Sequence, residues 1–147
     1  MKIIATNRDL NYKYQVVDKI ECGIVLRGTE VKSLRASKVA LKDSFAIIKN
    51  GEVFLKNMYI SPYEHGNINN LNETRDRKLL LHKEEIYKMN IKIKQGGYTL
   101  IPHIIYFQGQ NIKIEICMCK GKKLYDKRQD IKEKEEKRKI DQTMKQG

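Results

Sequence analysis

From Tyr12 to Leu26 the side chains fall into a two-residue alternation, with Tyr12, Tyr14, Val16 and Asp18 set between Lys13, Gln15, Val17 and Lys19. A period of two is that of a strand with one buried face. Gly23 interrupts the run, and a glycine inside a strand marks a bulge or a sharp bend. Gly28-Thr29-Glu30 then starts a helix, with Thr29 as N-cap, that runs to about Ser37. Its spacing turns Val31, Leu34 and Leu41 inward and sets Lys32, Arg35 and Lys38 along an outer face. Phe45-Ala46-Ile47-Ile48 and Val53-Phe54-Leu55 flank Lys49-Asn50-Gly51-Glu52, and Asn-Gly between apolar runs is the strongest short hairpin signal.

Elsewhere the pattern is less regular. Met1 to Asn11 is short and polar, with a local turn at Asn7-Arg8-Asp9, and Ser61 to Arg77 reads as a long, asparagine-rich loop. Lys78-Leu79-Leu80-Leu81 is a short apolar strand. His82 to Gln95 is helical and ends at Gly96-Gly97. Tyr98 to Phe107 and Asn111 to Lys120 form a second hairpin about Gln108-Gly109-Gln110. Short strands in hairpins, broken by two helices, predict a mainly β, antiparallel α+β domain. A small closed β-barrel with flanking helices is the economical way to remove the sheet edges.

Charge divides the chain. Residues 1–119 carry 19 Lys/Arg and 12 Asp/Glu and hold most of the β-branched and aromatic side chains. Residues 120–147 carry 11 Lys/Arg against 6 Asp/Glu, a net of +5, with almost nothing apolar to bury. The reading is a domain at 1–119 and a basic C-terminal tail at 120–147 that is disordered when free. The formal charge of +12 and pI near 9.6 point to a polyanion, and nucleic acid is favoured over membrane. No apolar run approaches the roughly 18 residues of a spanning helix, and no secretory h-region stands at the N-terminus. Three cysteines (Cys22, Cys117 and Cys119) in such a chain read as reduced thiols of a cytoplasmic protein.

Catalysis finds no support. The Gly-x-Ser-x-Gly elbow, the phosphate-binding loop and the dinucleotide fingerprint are absent, and the adjacent Glu84 and Glu85 diverge by about 100 degrees on a helix. Neither His65, His82 and His103 nor Cys117-Met118-Cys119 has the spacing of a metal site, so no metal, cofactor or small-molecule substrate is expected. Binding is supported instead. Arg75, Arg77 and Lys78 cluster, Lys32, Arg35 and Lys38 share a helix face, and Lys113 projects from a strand between Ile112 and Ile114. In the tail, Tyr125 sits in a basic run, where an aromatic ring either stacks on a base or packs on the domain.

Several segments resemble the SsrA-binding protein family, SmpB, the bacterial partners of tmRNA. They are Gly23-Ile24-Val25-Leu26-Arg27-Gly28-Thr29-Glu30-Val31-Lys32-Ser33-Leu34-Arg35-Ala36, Asp43-Ser44 with Asn50-Gly51-Glu52, Asn57-Met58-Tyr59-Ile60-Ser61-Pro62-Tyr63-Glu64, and Arg77-Lys78-Leu79-Leu80-Leu81-His82. Lys120-Gly121-Lys122-Lys123-Leu124-Tyr125-Asp126-Lys127-Arg128 completes the likeness, which spans about residues 6–139. It implies a barrel of oligonucleotide-binding type. It also implies that the protein binds the tRNA-like domain of tmRNA and delivers it to ribosomes stalled on messages without a stop codon, for trans-translation.

By position in these motifs, Tyr12, Glu21, Lys32, Arg35, Leu80 and Lys113 are the expected tmRNA contacts. Lys120, Gly121, Lys122, Lys123, Tyr125, Asp126, Lys127, Arg128, Ile131 and Lys132 are the expected contacts of the tail with small-subunit rRNA, in the decoding centre and mRNA channel. Tyr12 and Tyr125 stand where family members often carry histidine, a change that keeps stacking and loses protonation. Two other classes compete: a general single-stranded-RNA-binding barrel, whose exposed aromatics would be Tyr12, Tyr63 and Tyr106, and a ribosomal structural protein with a basic extension.

Overall fold

The computed structural model describes residues 1–62 and 73–121. It is mainly β, with nine strands and three helices among those residues. In chain order they are β1 (Lys2–Thr6), α1 (Leu10–Lys13), β2 (Tyr14–Ile24), α2 (Gly28–Arg35), β3 (Val39–Ala40), β4 (Phe45–Lys49), β5 (Glu52–Lys56), β6 (Tyr59–Ile60), β7 (Arg77–Leu80), α3 (Lys83–Gln95), β8 (Tyr98–Gln108) and β9 (Asn111–Gly121). Seven strands make one antiparallel sheet in the order β1-β8-β4-β5-β7-β2-β9, and β9 pairs again with β8. β3 and β6 form a small separate ribbon.

Both hairpins form where the turn chemistry placed them. Asn50 and Gly51 take φ of 53° and 74°, the two positive values that a type I′ turn requires, and Lys49 pairs with Glu52. In the second hairpin Gln108 pairs with Asn111, and Gly109 supplies φ of 61° at the first central position. Helix α3 is bounded as expected, by Glu85 accepting from the His82 N–H at 3.2 Å and by Gly96 at φ 123°.

The N-terminal segment corrects the sequence reading. Met1 to Asn11 is not merely polar chain: β1 pairs with β8, Ile3 opposite Tyr106 and Ala5 opposite Ile105. Tyr12 belongs to α1 rather than to the alternating strand, which begins at Tyr14. The bulge in β2 lies between Val16 and Asp18 rather than at Gly23. One extra residue there moves the buried set to the other face. Before it, Tyr14 and Val16 pack on a cluster of Leu10, Ile101, Cys117 and Cys119. After it, Ile20, Cys22 and Ile24 pack on the main core with Ile114, Ile116 and Met118. Alternate residues of β9 thus feed two clusters, and α1 covers the outer one through Leu10.

Helix α2 begins one residue before the expected cap. The Arg27 N–H donates to Glu30 Oε1 at 2.8 Å, which makes Arg27 the N-cap in place of Thr29. Leu34 and Leu41 are buried as expected, and Lys32, Arg35 and Lys38 face outward. The last strand reaches Gly121, so Lys120 and Gly121, assigned to the tail from sequence, complete β9 opposite Gln15 and Tyr14. Lys120 Nζ lies 5.0 Å from the centre of the Tyr98 ring.

Candidate nucleic-acid interface

Away from α1, the outer face of the sheet presents Leu80 and Ile3 to solvent and keeps Tyr106 covered. Residues directly opposite on neighbouring strands share a face, so the register lays out a transverse row: Leu80 of β7, Gly23 of β2, Lys113 of β9, Tyr106 of β8 and Ile3 of β1. Glu21, two residues from Gly23 on β2, points to the same side and faces Glu115 of β9. Leu80 is half-exposed, an apolar side chain presented to solvent at the end of this row, two strands from Lys113. Gly23 permits a close approach: a Cβ there would stand 3.2 Å from Leu80 Cβ and 3.3 Å from its Cδ1.

Three expected contact residues, Glu21, Leu80 and Lys113, are therefore brought together by strand pairing. Lys32 and Arg35 lie on the exposed side of α2, which starts four residues after β2 leaves the row at Ile24. Tyr12 is exposed at the other end of β2, up to about 30 Å away at the rise of a strand. Lys122, Lys123, Tyr125, Asp126, Lys127, Arg128, Ile131 and Lys132 lie outside the described residues, as does Tyr63.

The basic cluster Arg75-Arg77-Lys78 divides into different roles. Arg77 is fully buried, and its guanidinium donates to Glu30 Oε2 at 2.7 Å, to the Met58 carbonyl at 2.6 Å and to the Glu73 carbonyl at 3.0 Å. Arg75 donates to both oxygens of the same carboxylate. Burial opposes ionisation of Glu30, but the bonds from Arg75, the Arg27 N–H and Arg77 outweigh it and hold the carboxyl below its ordinary value. These arginines fix α2 to β7 instead of meeting a phosphate. Lys78 is exposed and pairs with Glu52 at 3.3 Å.

Tyr106 is also corrected: at 4% exposure it is no stacking platform, and its hydroxyl donates to Glu21 Oε2. Below it on the same face, His103 Nδ1 lies 2.9 Å from Glu115 Oε1, with Lys19 Nζ at 4.0 Å. His103, Glu115 and Cys117 offer donor atoms within 4.8 Å of one another, a trio that the sequence spacing did not reveal. Burial, then the Glu115 charge, pushes the Cys117 thiol up to about 11, and Glu115 already has Lys19 and His103 as partners. Burial likewise raises Cys22 and Cys119 to about 12, so all three thiols stay protonated and pack as small apolar groups. No helix among the described residues is long and apolar enough to cross a membrane.

An antiparallel sheet with a mixed lysine, glutamate and leucine face, set beside a helix face of lysine and arginine in a chain of charge +12, defines an RNA-binding module. The family model described as SmpB protein matches residues 4–146, and the chain belongs to that family. It is 54% identical over 146 residues to an SsrA-binding protein of Acetivibrio thermocellus, covering 99% of this chain and 95% of that one. To the SsrA-binding protein of Thermosynechococcus vestitus it is 48% identical over 147 residues, covering 99% and 97%. A solved chain from "tmRNA-SmpB: a journey to the center of the bacterial ribosome" superposes with a TM-score of 0.71 at 42% identity, over 86% of this chain and 93% of that one.

Proposed function

We propose that the protein binds the tRNA-like domain of tmRNA and carries it to stalled ribosomes in trans-translation. The observation that carries this reading is the outer row Leu80–Gly23–Lys113 with Glu21 beside it, in a chain whose relatives are SsrA-binding proteins along nearly their whole length. The return pairing of β9 onto β8 supports reading the sheet as a small closed barrel of oligonucleotide-binding type.

In this account the work divides at the end of β9. Residues 1–121 hold the RNA: Lys113, Lys32 and Arg35 meet phosphates, Leu80 gives a base an apolar surface, and Glu21 accepts from a donor on the RNA. Tyr12 adds an aromatic ring at the far end of β2. Beyond Gly121, the segment Lys122, Lys123, Tyr125, Asp126, Lys127, Arg128, Ile131 and Lys132 engages small-subunit rRNA at the decoding centre. The role is binding in the cytoplasm, without a catalytic step or cofactor. A general single-strand binder loses one of its expected stacking rings, because Tyr106 is buried and Tyr12 lies at the far end of β2 from the row.

Truncation after Gly121 tests the division. Affinity for tmRNA should stay within about tenfold, roughly 1.4 kcal/mol, in a gel shift, while tagging of peptides on ribosomes stalled at a truncated message is lost. Loss of tmRNA binding by the truncated chain would refute the assignment of RNA binding to residues 1–121.

A further inference from the structure

Glu21 and Tyr106 sit on strands that do not pair with each other; β9 runs between them, and their side chains meet across it. The residue directly opposite Glu21 is Glu115, and two facing carboxylates repel. Each carboxylate has a separate holder. Glu115 is held by His103 and Lys19, and Glu21 by the Tyr106 hydroxyl. Tyr106 itself is withdrawn from solvent, so its ring is wall and only its hydroxyl acts at the surface. Burial, then the Glu21 carboxylate, raises the phenol well above its ordinary value, which leaves it a hydrogen-bond donor at any physiological pH.

An exposed glutamate samples many rotamers, and fixing one on binding costs about 0.5–1.5 kcal/mol. A side chain already held avoids that cost. A carboxylate has about four lone-pair sites and Tyr106 uses one, so acceptors remain beside Lys113. We propose that Tyr106 is a positioning residue of the RNA interface, whose hydroxyl aims the Glu21 carboxylate across β9 so that its remaining lone pairs accept from a hydrogen-bond donor of the bound RNA. The inference rests on the tmRNA-binding reading, and it adds to that interface a residue that never touches RNA.

A double-mutant cycle with the full chain and the tRNA-like domain of tmRNA tests it. Tyr106→Phe keeps the ring in place and should weaken binding about tenfold, Glu21→Ala should weaken it at least as much, and the pair should bind like Glu21→Ala alone. A tyrosine that served only the fold would instead add its loss to that of Glu21→Ala. Additive losses, or wild-type binding by Tyr106→Phe beside a weakened Glu21→Ala, would overturn the positioning role and leave the interface standing. Wild-type binding by Glu21→Ala would overturn both. The carboxyl carbon resonance of Glu21 gives a reading independent of affinity: it should shift in Tyr106→Phe, and an unchanged resonance would mean that no bond is made.

Discussion

Arg77 of β7 and Glu30 of α2 pair at 2.7 Å with both side chains withdrawn from solvent, 47 residues apart in the chain. The pair joins two segments of the candidate interface, since α2 carries Lys32 and Arg35 and β7 carries Leu80. Arg77 also donates to three backbone carbonyls, those of Met58, Glu73 and Arg75, so removing its carboxylate partner leaves a guanidinium committed to a buried place. Breaking a buried pair from one side costs about 3–5 kcal/mol. Glu30→Gln and Arg77→Met should each lose stability on that scale in urea unfolding, with Arg75→Ala, which is partly exposed, losing less. Losses below about 1 kcal/mol for Arg77→Met would show the pair to be dispensable.

The same carboxylate sets an acid limit. Its folded-state pKa lies below the ordinary 4.5, so it stabilises the fold fully above that value, and the contribution is lost as pH falls through the folded-state pKa. Stability should fall with decreasing pH below about 4.5, and Glu30→Gln should flatten part of that fall. An unchanged acid profile in the variant would place the titrating group elsewhere.

Gly23→Ala should separate folding from binding. The new methyl meets Leu80, which is half-exposed and can move by a few tenths of an ångström, so the stability loss should stay below the 1–3 kcal/mol of overpacking in a core. The displaced Leu80 no longer presents the same surface, and tmRNA affinity should drop by roughly 1 kcal/mol, about fivefold. Unchanged affinity would remove Leu80 and Gly23 from the interface.

Phosphate contact by the three basic side chains has its own signature. Each neutralised phosphate contributes about 0.7–0.9 to the slope of log affinity against log salt. Lys32→Ala, Arg35→Ala and Lys113→Ala should each reduce the slope by that amount. A slope that does not respond to any of them would mean that the charge of +12 acts elsewhere.

What could be read from sequence was what depends on neighbours in the chain. Asn50-Gly51, Gly109 and Gly96 carry their own turn and cap chemistry, and those elements formed at their expected positions. β1 was missed because its hydrogen bonds run to β8, about 100 residues on, and Ile3-Ile4-Ala5-Thr6 is a mostly β-branched run too short to stand out beside the polar residues that follow. The β2 bulge fell at Val17, a residue without turn chemistry, while Gly23 answers to Leu80 on another strand. Arg77 looked like a surface charge because its partners, Glu30 and the Met58 carbonyl, are distant in sequence. Glu21 and Leu80 were proposed through family resemblance, Lys113 also through its alternation with Ile112 and Ile114, and only the register shows them side by side. The hydroxyl that holds Glu21 had no signal in the sequence beyond being one tyrosine among eight.

The most direct measurement is competition for the full-length protein, at one salt concentration, between the tRNA-like domain of tmRNA, an ordinary tRNA and an unstructured single-stranded RNA of equal length. Charge alone binds all three alike, since phosphate contacts carry no identity, whereas an interface of Leu80, Glu21 and Lys113 shaped for one surface distinguishes them. The account predicts that the tRNA-like domain is preferred over both competitors by about tenfold or more, roughly 1.4 kcal/mol, and that Leu80→Ala erodes the preference more than it erodes binding to single strands. Equal affinity for the three RNAs would contradict it.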